Sequence, residues 1–504
     1  MDFTWGACWL RIRLILIFSM IFTTALTWAG GPLQIWNDQA VVWDSSTFPV
    51  PYHLDQGALG PFSAEEAKSL IEQAFALWSR VATSSISFMA GGAMPIDIDG
   101  ANYLDYIDGR APGFNPIIFD DDGGITEAVF GQNAQNDILG FASITESNET
   151  TILSSQVVFN GAYLTAQNIS AAAYQATILH ELGHWIGLDH SQLLRHIAND
   201  GVGSNDVWTP IMFPTTTDDE TQRTLLTDDD QWALSNLYPR DGFHESTGSI
   251  RGLIQQYTEE KPGLNVIARR VGHVTDHIYS TVSGAFDTLG GSFEFNGLPV
   301  GDYQVYIEPV DLFYRGSSSV GRYAATFNSL SFRDPPPAQY FHTGDDRINR
   351  SRWTPISVEA NSTNNEINFD LNFDIASFDE NDSQLFGLPD EQIGAAPPNA
   401  STRYQYIMTL GGNETAVEIK VNSAPDSLFD LLVGMERRPG AFDLPTASSV
   451  NGNAKFLLTP SSDPPLQIAR YFIAVRNRSE VDAPFTLTTQ TPTANTRVDY
   501  ELYR

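Results

Sequence analysis

Residues 180–191 read HELGHWIGLDHS, and this short run limits the fold more than any other part of the chain. On a helix, His180 and His184 lie four residues apart and project from one face, so both imidazoles can reach one ion. Glu181 sits one position on, where its carboxylate can touch a water at the ion's open side without ligating. Gly187 can take positive φ and end the helix. A sharp turn then brings His190 round as the third ligand. Three neutral imidazoles leave a fourth position for water, which is the arrangement of a catalytic zinc site. Structural zinc sites are closed, usually by cysteine, and the chain's single cysteine is Cys8.

The patterns around this run predict an α+β region. Ser63-x-x-Glu66 is a capping box, after which Ala67, Leu70, Ile71, Ala74, Leu77, Trp78 and Val81 recur at helical spacing. Further helices are expected over 168–186 and 227–237. Short apolar runs at 117–119, 138–142 and 157–159 read as strands. After Arg240 the helical signal stops. Phe293 and Phe295, then Tyr303, Val305 and Ile307, alternate with polar residues, which is β-sandwich patterning. Residues 376–400 are polar with Gly and Pro and are expected to be a linker. Strands resume at 428–433, 471–475 and 485–489.

At 504 residues the chain needs more than one core, so two to four domains are expected. Arg11 and Arg13 precede an apolar run over 14–26, followed by small residues around Thr27, Ala29 and Gly30. This reads as a signal peptide cleaved near Ala29; as a membrane anchor the run falls short of the ~20 residues a spanning helix needs. Loss of this segment removes Cys8 and any disulfide, so core size and bound metal must hold the domains together. The net charge of -33, from 61 acidic and 28 basic residues, argues against nucleic acid and anionic membranes as partners. Within that charge, Asp120, Asp121 and Asp122 ahead of two glycines either form an acidic surface turn or supply carboxylates and turn carbonyls to calcium.

H-E-x-x-H-x-x-G-x-x-H is the metzincin signature, and a Met-turn lies downstream of it in that group. Residues 210–214 read PIMFP, so the resemblance makes Met212 the hydrophobic floor beneath the metal. Within metzincins the chain resembles the matrixins, the matrix metalloproteinase group, over 41–239. Ser191 follows the third His, Met212 precedes an aromatic and a Pro, and LTDDDQWALSNLYP (226–239) resembles their last helix. The resemblance implies one catalytic zinc on His180, His184 and His190, and Glu181 as the base that activates the zinc-bound water. It also implies that Ile138, Leu139, Gly140, Phe141 and Ala142 form the edge strand along which a protein or peptide substrate lies. Three departures stand out. The stretch from His190 to Met212 is longer, which predicts a surface insertion around 192–208. No cysteine-bearing propeptide precedes the domain, and no Tyr follows Met212 at two residues' distance.

Residues 248–270 and 291–309 resemble the carboxypeptidase regulatory-like, transthyretin-like sandwich, and 403–490 resemble the bacterial pre-peptidase C-terminal domain. The expected fold class is therefore multi-domain, an α+β metzincin catalytic domain followed by two all-β sandwich domains. Its boundaries are 1–29 signal peptide, 30–242 peptidase, 246–375 first sandwich, 376–400 linker and 401–504 second β domain. The expected function is a secreted, extracellular bacterial zinc endopeptidase with no stable membrane span. The β domains would serve docking to matrix or cell surface. The alternatives are an adhesion protein with a vestigial zinc site and a zinc hydrolase of non-peptide amides. Because the chemistry lies before Pro239, residues 30–242 are expected to fold and act without the rest. His196, His244, His273, His277 and His342 lack a second-ligand pattern and read as surface or core histidines.

Overall fold

The computed structural model describes residues 31–491, apart from several short stretches and 311–319, 321–338, 344–353, 372–382, 397–404 and 436–444. The expected signal peptide and His342 lie outside the described residues. Among those described, no helix is long and apolar enough to cross a membrane.

A small hairpin, β1 (Ile35–Trp36) and β2 (Gln39–Ala40), precedes a six-stranded sheet. That sheet holds β3 (Val42–Trp43), β4 (Val50–Leu54), β5 (Phe88–Ala93), β6 (Pro116–Asp120), β7 (Gly140–Asn148) and β8 (Thr151–Asn160). The order is β3-β8-β6-β4-β5 with parallel pairs, and β7 joins β8 antiparallel. Helices α1 (Ala64–Ser79), α2 (Gly124–Phe130), α3 (Gly161–Gln167), α4 (Ala171–Ile186), α5 (Arg195–Ala198), α6 (Asp228–Leu237) and α7 (Phe243–Ser246) complete this part.

Helix α1 starts at the Ser63–Glu66 capping box and buries Ala67, Ile71, Ala74, Phe75 and Trp78. The indole N–H of Trp78 donates to Leu179 O at 3.2 Å, which fastens α1 to α4. Truncating so buried a Trp to Ala would cost about 3–5 kcal/mol. Trp185, on α4, packs its ring 5.3 Å from Trp43 on one side and 5.3 Å from Phe75 on the other. Tyr238 O–H donates to Ile186 O at 2.6 Å, satisfying a carbonyl at the C-terminal end of α4. Helix α4 is thus held from three directions by residues far from it in sequence.

Beyond α7 the regular structure among the described residues is β. One five-stranded sheet contains β9 (Gly248–Gln256), β10 (Glu259–Glu260) and β13 (Ser292–Leu298). The facing one contains β11 (Leu264–Arg270), β12 (Ile278–Val282) and β14 (Gly301–Pro309). Ile250, Phe295, Tyr303 and Val305 pack between them in one apolar cluster. A second pair of sheets, of five and four strands, follows from Ser383 onward. Inside 376–400, expected to be a linker, Ser383–Leu385 and Asp390–Ala396 are strands. Among the described residues Asp390–Ala396 lies at the end of its sheet, paired only with Ala483–Gln490. An edge strand of polar and small residues carries no alternating apolar signal, so the sequence hides it.

The segment expected to be a surface insertion, 192–208, is only partly at the surface: Ser204, Val207 and Trp208 are exposed, but much of the rest of its described part is not. Gln192, Leu193, Leu194, Ala198, Asn205 and Asp206 are all buried. Leu193 and Leu194 share an apolar cluster with Ile267, Ile278 and Tyr306 and with the core of the last two sheets. Gln192 Nε2 donates to Glu308 Oε1 at 2.9 Å. The insertion is a foot planted in the β region, and adjacent leucines in a helix-poor stretch gave no period to reveal it.

Candidate metal centre

Helix α4 begins at Ser170, whose side chain accepts from Ala173 N–H, and ends at Gly187 with φ 110°. Gly187 N–H donates to the Gly183 and His184 carbonyls, and the chain turns back so that His190 faces the helix. The three Nε2 atoms lie 3.1 Å (His180–His184), 3.2 Å (His180–His190) and 3.0 Å (His184–His190) apart.

The outer ring nitrogens decide what that triangle means. His180 Nδ1 lies 2.7 Å from Ile211 O and His184 Nδ1 lies 2.8 Å from Leu188 O. A carbonyl only accepts, so both Nδ1 atoms carry protons and both neutral rings turn Nε2 lone pairs inward. Lone pairs at this distance repel unless a cation sits among them. Tetrahedral zinc with bonds of about 2.0–2.1 Å needs nitrogen separations of about 3.3 Å, close to those present. Burial pushes the His184 imidazole down to about 4. Burial, then the neighbouring His184 and His190, push His180 well below the usual histidine value. The ligands are therefore neutral before any metal arrives.

Further groups fix this geometry, and two of them, Arg223 and Asp230, do not stand out in the sequence. Arg223 is buried and donates through Nη2 to Pro210 O at 2.6 Å and to Ile211 O at 2.9 Å. Ile211 O is also the acceptor for His180, so Arg223 positions a ligand through a shared carbonyl. Asp230, in the first turn of α6, accepts from Ile211 N–H (2.9 Å) and Met212 N–H (3.1 Å). Ser191 N–H donates to Met212 O at 2.8 Å, joining the residue after the third His to the same turn. Gly183 leaves room for Met212: a Cβ there would lie 2.2 Å from the Met212 sulfur. Met212 is buried against α4 and lies in the main core.

Glu181 is buried on the same helix, and burial alone pushes its carboxyl up to about 8. Gly140, the first residue of β7, faces it, since a Cβ on Gly140 would sit 3.2 Å from Glu181 Cγ. Of the five residues named as an edge strand, Gly140, Phe141 and Ala142 belong to β7 and pair with Phe159, Val158 and Val157. Ile138 and Leu139 precede it, and Leu139 O accepts from Tyr174 O–H at 2.7 Å. Among the described residues β7 pairs only with β8, so no described strand lies along its other edge.

Asp120, Asp121 and Asp122 point elsewhere. Asp120 is buried and accepts from Ile125 N–H, Thr126 N–H and Thr126 O–H at 2.7–3.0 Å. Asp121 accepts from Gly60 N–H and Asp122 from Gly124 N–H. These carboxylates hold loops and the start of α2. Two groups of three metal-binding side chains converge among the described residues, and neither includes these aspartates.

The family model described as pregnancy-associated plasma protein-A, Peptidase_M43, matches residues 128–236. That span contains the three histidines, Glu181 and Met212, and the match indicates a metallopeptidase of the metzincin type, for which zinc is the implied cofactor. The matched family is not the matrixin group, so the statement shared with the resemblance is the coarser one. No curated protein matches the chain. Among solved structures, the pre-peptidase C-terminal domain of a collagenase from Bacillus anthracis is 11% identical, with a TM-score of 0.17, over 21% of this chain and 93% of that one. A periplasmic inhibitor of g-type lysozyme from Aeromonas hydrophila is 12% identical, with a TM-score of 0.15, over 21% and 96%. At these scores neither bears on activity.

Proposed function

We propose that the chain is a secreted zinc endopeptidase with its centre at His180, His184 and His190. The observation that carries this reading is the triangle of inward Nε2 lone pairs beside a buried glutamate, next to a strand edge along which no described strand lies. Bound by the imidazoles, zinc supplies Lewis-acid polarisation of a carbonyl and an acidified water. The chain's own residues do the rest. That edge of β7 pairs with an extended peptide through main-chain hydrogen bonds, a mode that accepts many sequences. Beside Gly140, the Glu181 carboxylate takes the proton of the attacking water and returns it to the leaving amine. A carboxyl raised by burial is protonated at neutral pH; a nearby dication restores its ionised form, so base and metal are assembled together. Matrixin-like substrate pockets and docking through the β sheets belong to the same proposal.

Casein or gelatin zymography with the full-length protein tests this reading, alongside zinc content by elemental analysis. Cleavage that a strong chelator removes and zinc restores is the expected result. Zinc-loaded protein that cleaves neither protein nor peptide would return the site to a vestigial role in an adhesion protein.

A further inference from the structure

The second convergent group lies in the turn between β11 and β12, where His273, Asp276 and His277 place one ligand atom each within 4.8 Å of one another. His273 Nδ1 is 3.1 Å from Asp276 Oδ1. The two imidazole centroids are 4.5 Å apart at 90°, against 4.5 Å at 83° for His184 and His190. The spacing of the proposed catalytic pair thus recurs on a hairpin that the peptidase reading does not use. A carboxylate from another part of the fold joins it: Asp228 Oδ2, in the first turn of α6, lies 3.5 Å from His277 Nδ1 and accepts His277 N–H at 2.7 Å.

The local backbone holds this arrangement. Arg270 N–H donates to His277 O at 3.0 Å and His273 N–H donates to Arg270 O at 3.1 Å, which closes the turn. His277 is held at φ 50°, a left-handed conformation that few residues other than Gly adopt. All four side chains are between 32% and 46% exposed, so an ion can reach them from solvent.

We propose that His273, Asp276 and His277 form a second divalent-metal site, with Asp228 as the outer carboxylate that orients His277. Two imidazoles and one carboxylate suit zinc, nickel or copper(II), whereas calcium and magnesium require an oxygen shell. The site lies on a seam. Asp228 is followed by Asp229, which accepts from Ser280 N–H of β12 at 2.7 Å and from Ser191 O–H at 2.6 Å, and then by Asp230 under the Met-turn. An ion on the hairpin therefore fastens the β region to the helix turn that organises the catalytic centre. The role is structural, and it stands independently of the peptidase reading.

The test counts metal in the full-length protein. Wild type, His273→Ala and His277→Asn are stripped with chelator, reloaded with micromolar zinc, passed through gel filtration and submitted to elemental analysis. Asn is chosen at 277 because it tolerates positive φ. Wild type is expected to hold about one zinc equivalent more than either variant. His184→Ala, which removes a ligand of the other centre, should keep that equivalent. Equal zinc in wild type and both folded variants overturns the site and leaves a surface ion-pair cluster. If His273→Ala does not fold, Asp276→Asn in its place gives the same count. Loss of peptidase activity plays no part in the outcome, so failure here and failure of the catalytic reading are told apart.

Discussion

The two arms of the metal centre are secured by different parts of the molecule. His180 and His184 ride on α4, which is held by Trp78, Trp43, Phe75 and Tyr238 of the same α+β region. The residues after His190 are held from within that region, where Ser191 N–H donates to Met212 O, and from outside it as well. Ser191 bonds Asp229, which in turn accepts from Ser280 N–H on β12. Gln192 bonds Glu308 of β14, and Leu193 and Leu194 enter a cluster shared with the β sheets. One arm is held within the α+β region, and the other leans in part on the β sheets. A boundary that looks clean in composition near Arg240 therefore crosses the support of a ligand.

The largest expected effect breaks or upholds this contrast directly. Residues 30–242 alone, which the sequence leads one to expect to work at the full-length rate, should instead lose most of their activity. Without the β sheets, Leu193 and Leu194 face water and Asp229 loses the Ser280 N–H. A shift of His190 by about 1 Å is enough to cost about a hundredfold in turnover. The comparison is peptide cleavage by fragment and full chain at equal zinc loading; equal rates would mean that the third ligand needs nothing downstream.

A smaller effect sharpens the same contrast. Asp229 is buried, and burial outweighs its hydrogen bonds to hold its carboxyl up at about 7. Asp229→Ala leaves the buried Ser280 N–H and Ser191 O–H without this acceptor, at a cost of about 1–3 kcal/mol. Ser280→Ala keeps the backbone N–H and should cost less, about 0.5–1.5 kcal/mol. Urea denaturation of the full chain measures both, and the reversed order would place the seam's strength elsewhere than on Asp229.

The helix-borne arm has its own signature in pH. The folded His184 imidazole sits at about 4, against 6.5 when unperturbed. Between those values the unfolded chain binds a proton that the folded chain refuses, so zinc-free protein should lose stability as pH falls from about 6.5 towards 4. Above 6.5 this contribution is fully present. Thermal melts of chelated protein across that window check the sign; a stability that rises on acidification there would mean another group dominates.

What could be read in the sequence follows from where each constraint resides. His180, Glu181, His184, Gly187 and His190 are legible because helix period and one positive-φ glycine mark them in the local sequence, whatever else holds them in place. Asp228, Asp229 and Asp230 look like ordinary acid at a helix start, and Thr227 with Asp230 does form a capping box. Their other partners (His277, Ser280 and the Met-turn amides) are chosen by tertiary packing that no local pattern encodes. Arg223 is hidden for the same reason: besides its ion pair with Glu220, it donates to the backbone carbonyls of Pro210 and Ile211. His273 and His277 carry no such local mark, because their convergence depends on a closed hairpin turn and a left-handed backbone at 277.

The most direct measurement is peptide turnover by Glu181→Gln at wild-type zinc content. Glutamine keeps the size of the side chain beside Gly140 and leaves all three imidazoles in place, but it cannot take up a proton. The account predicts full zinc occupancy with turnover lowered by about 10²–10⁴-fold, the usual contribution of a general base. Turnover near the wild-type rate in the zinc-loaded variant would contradict it.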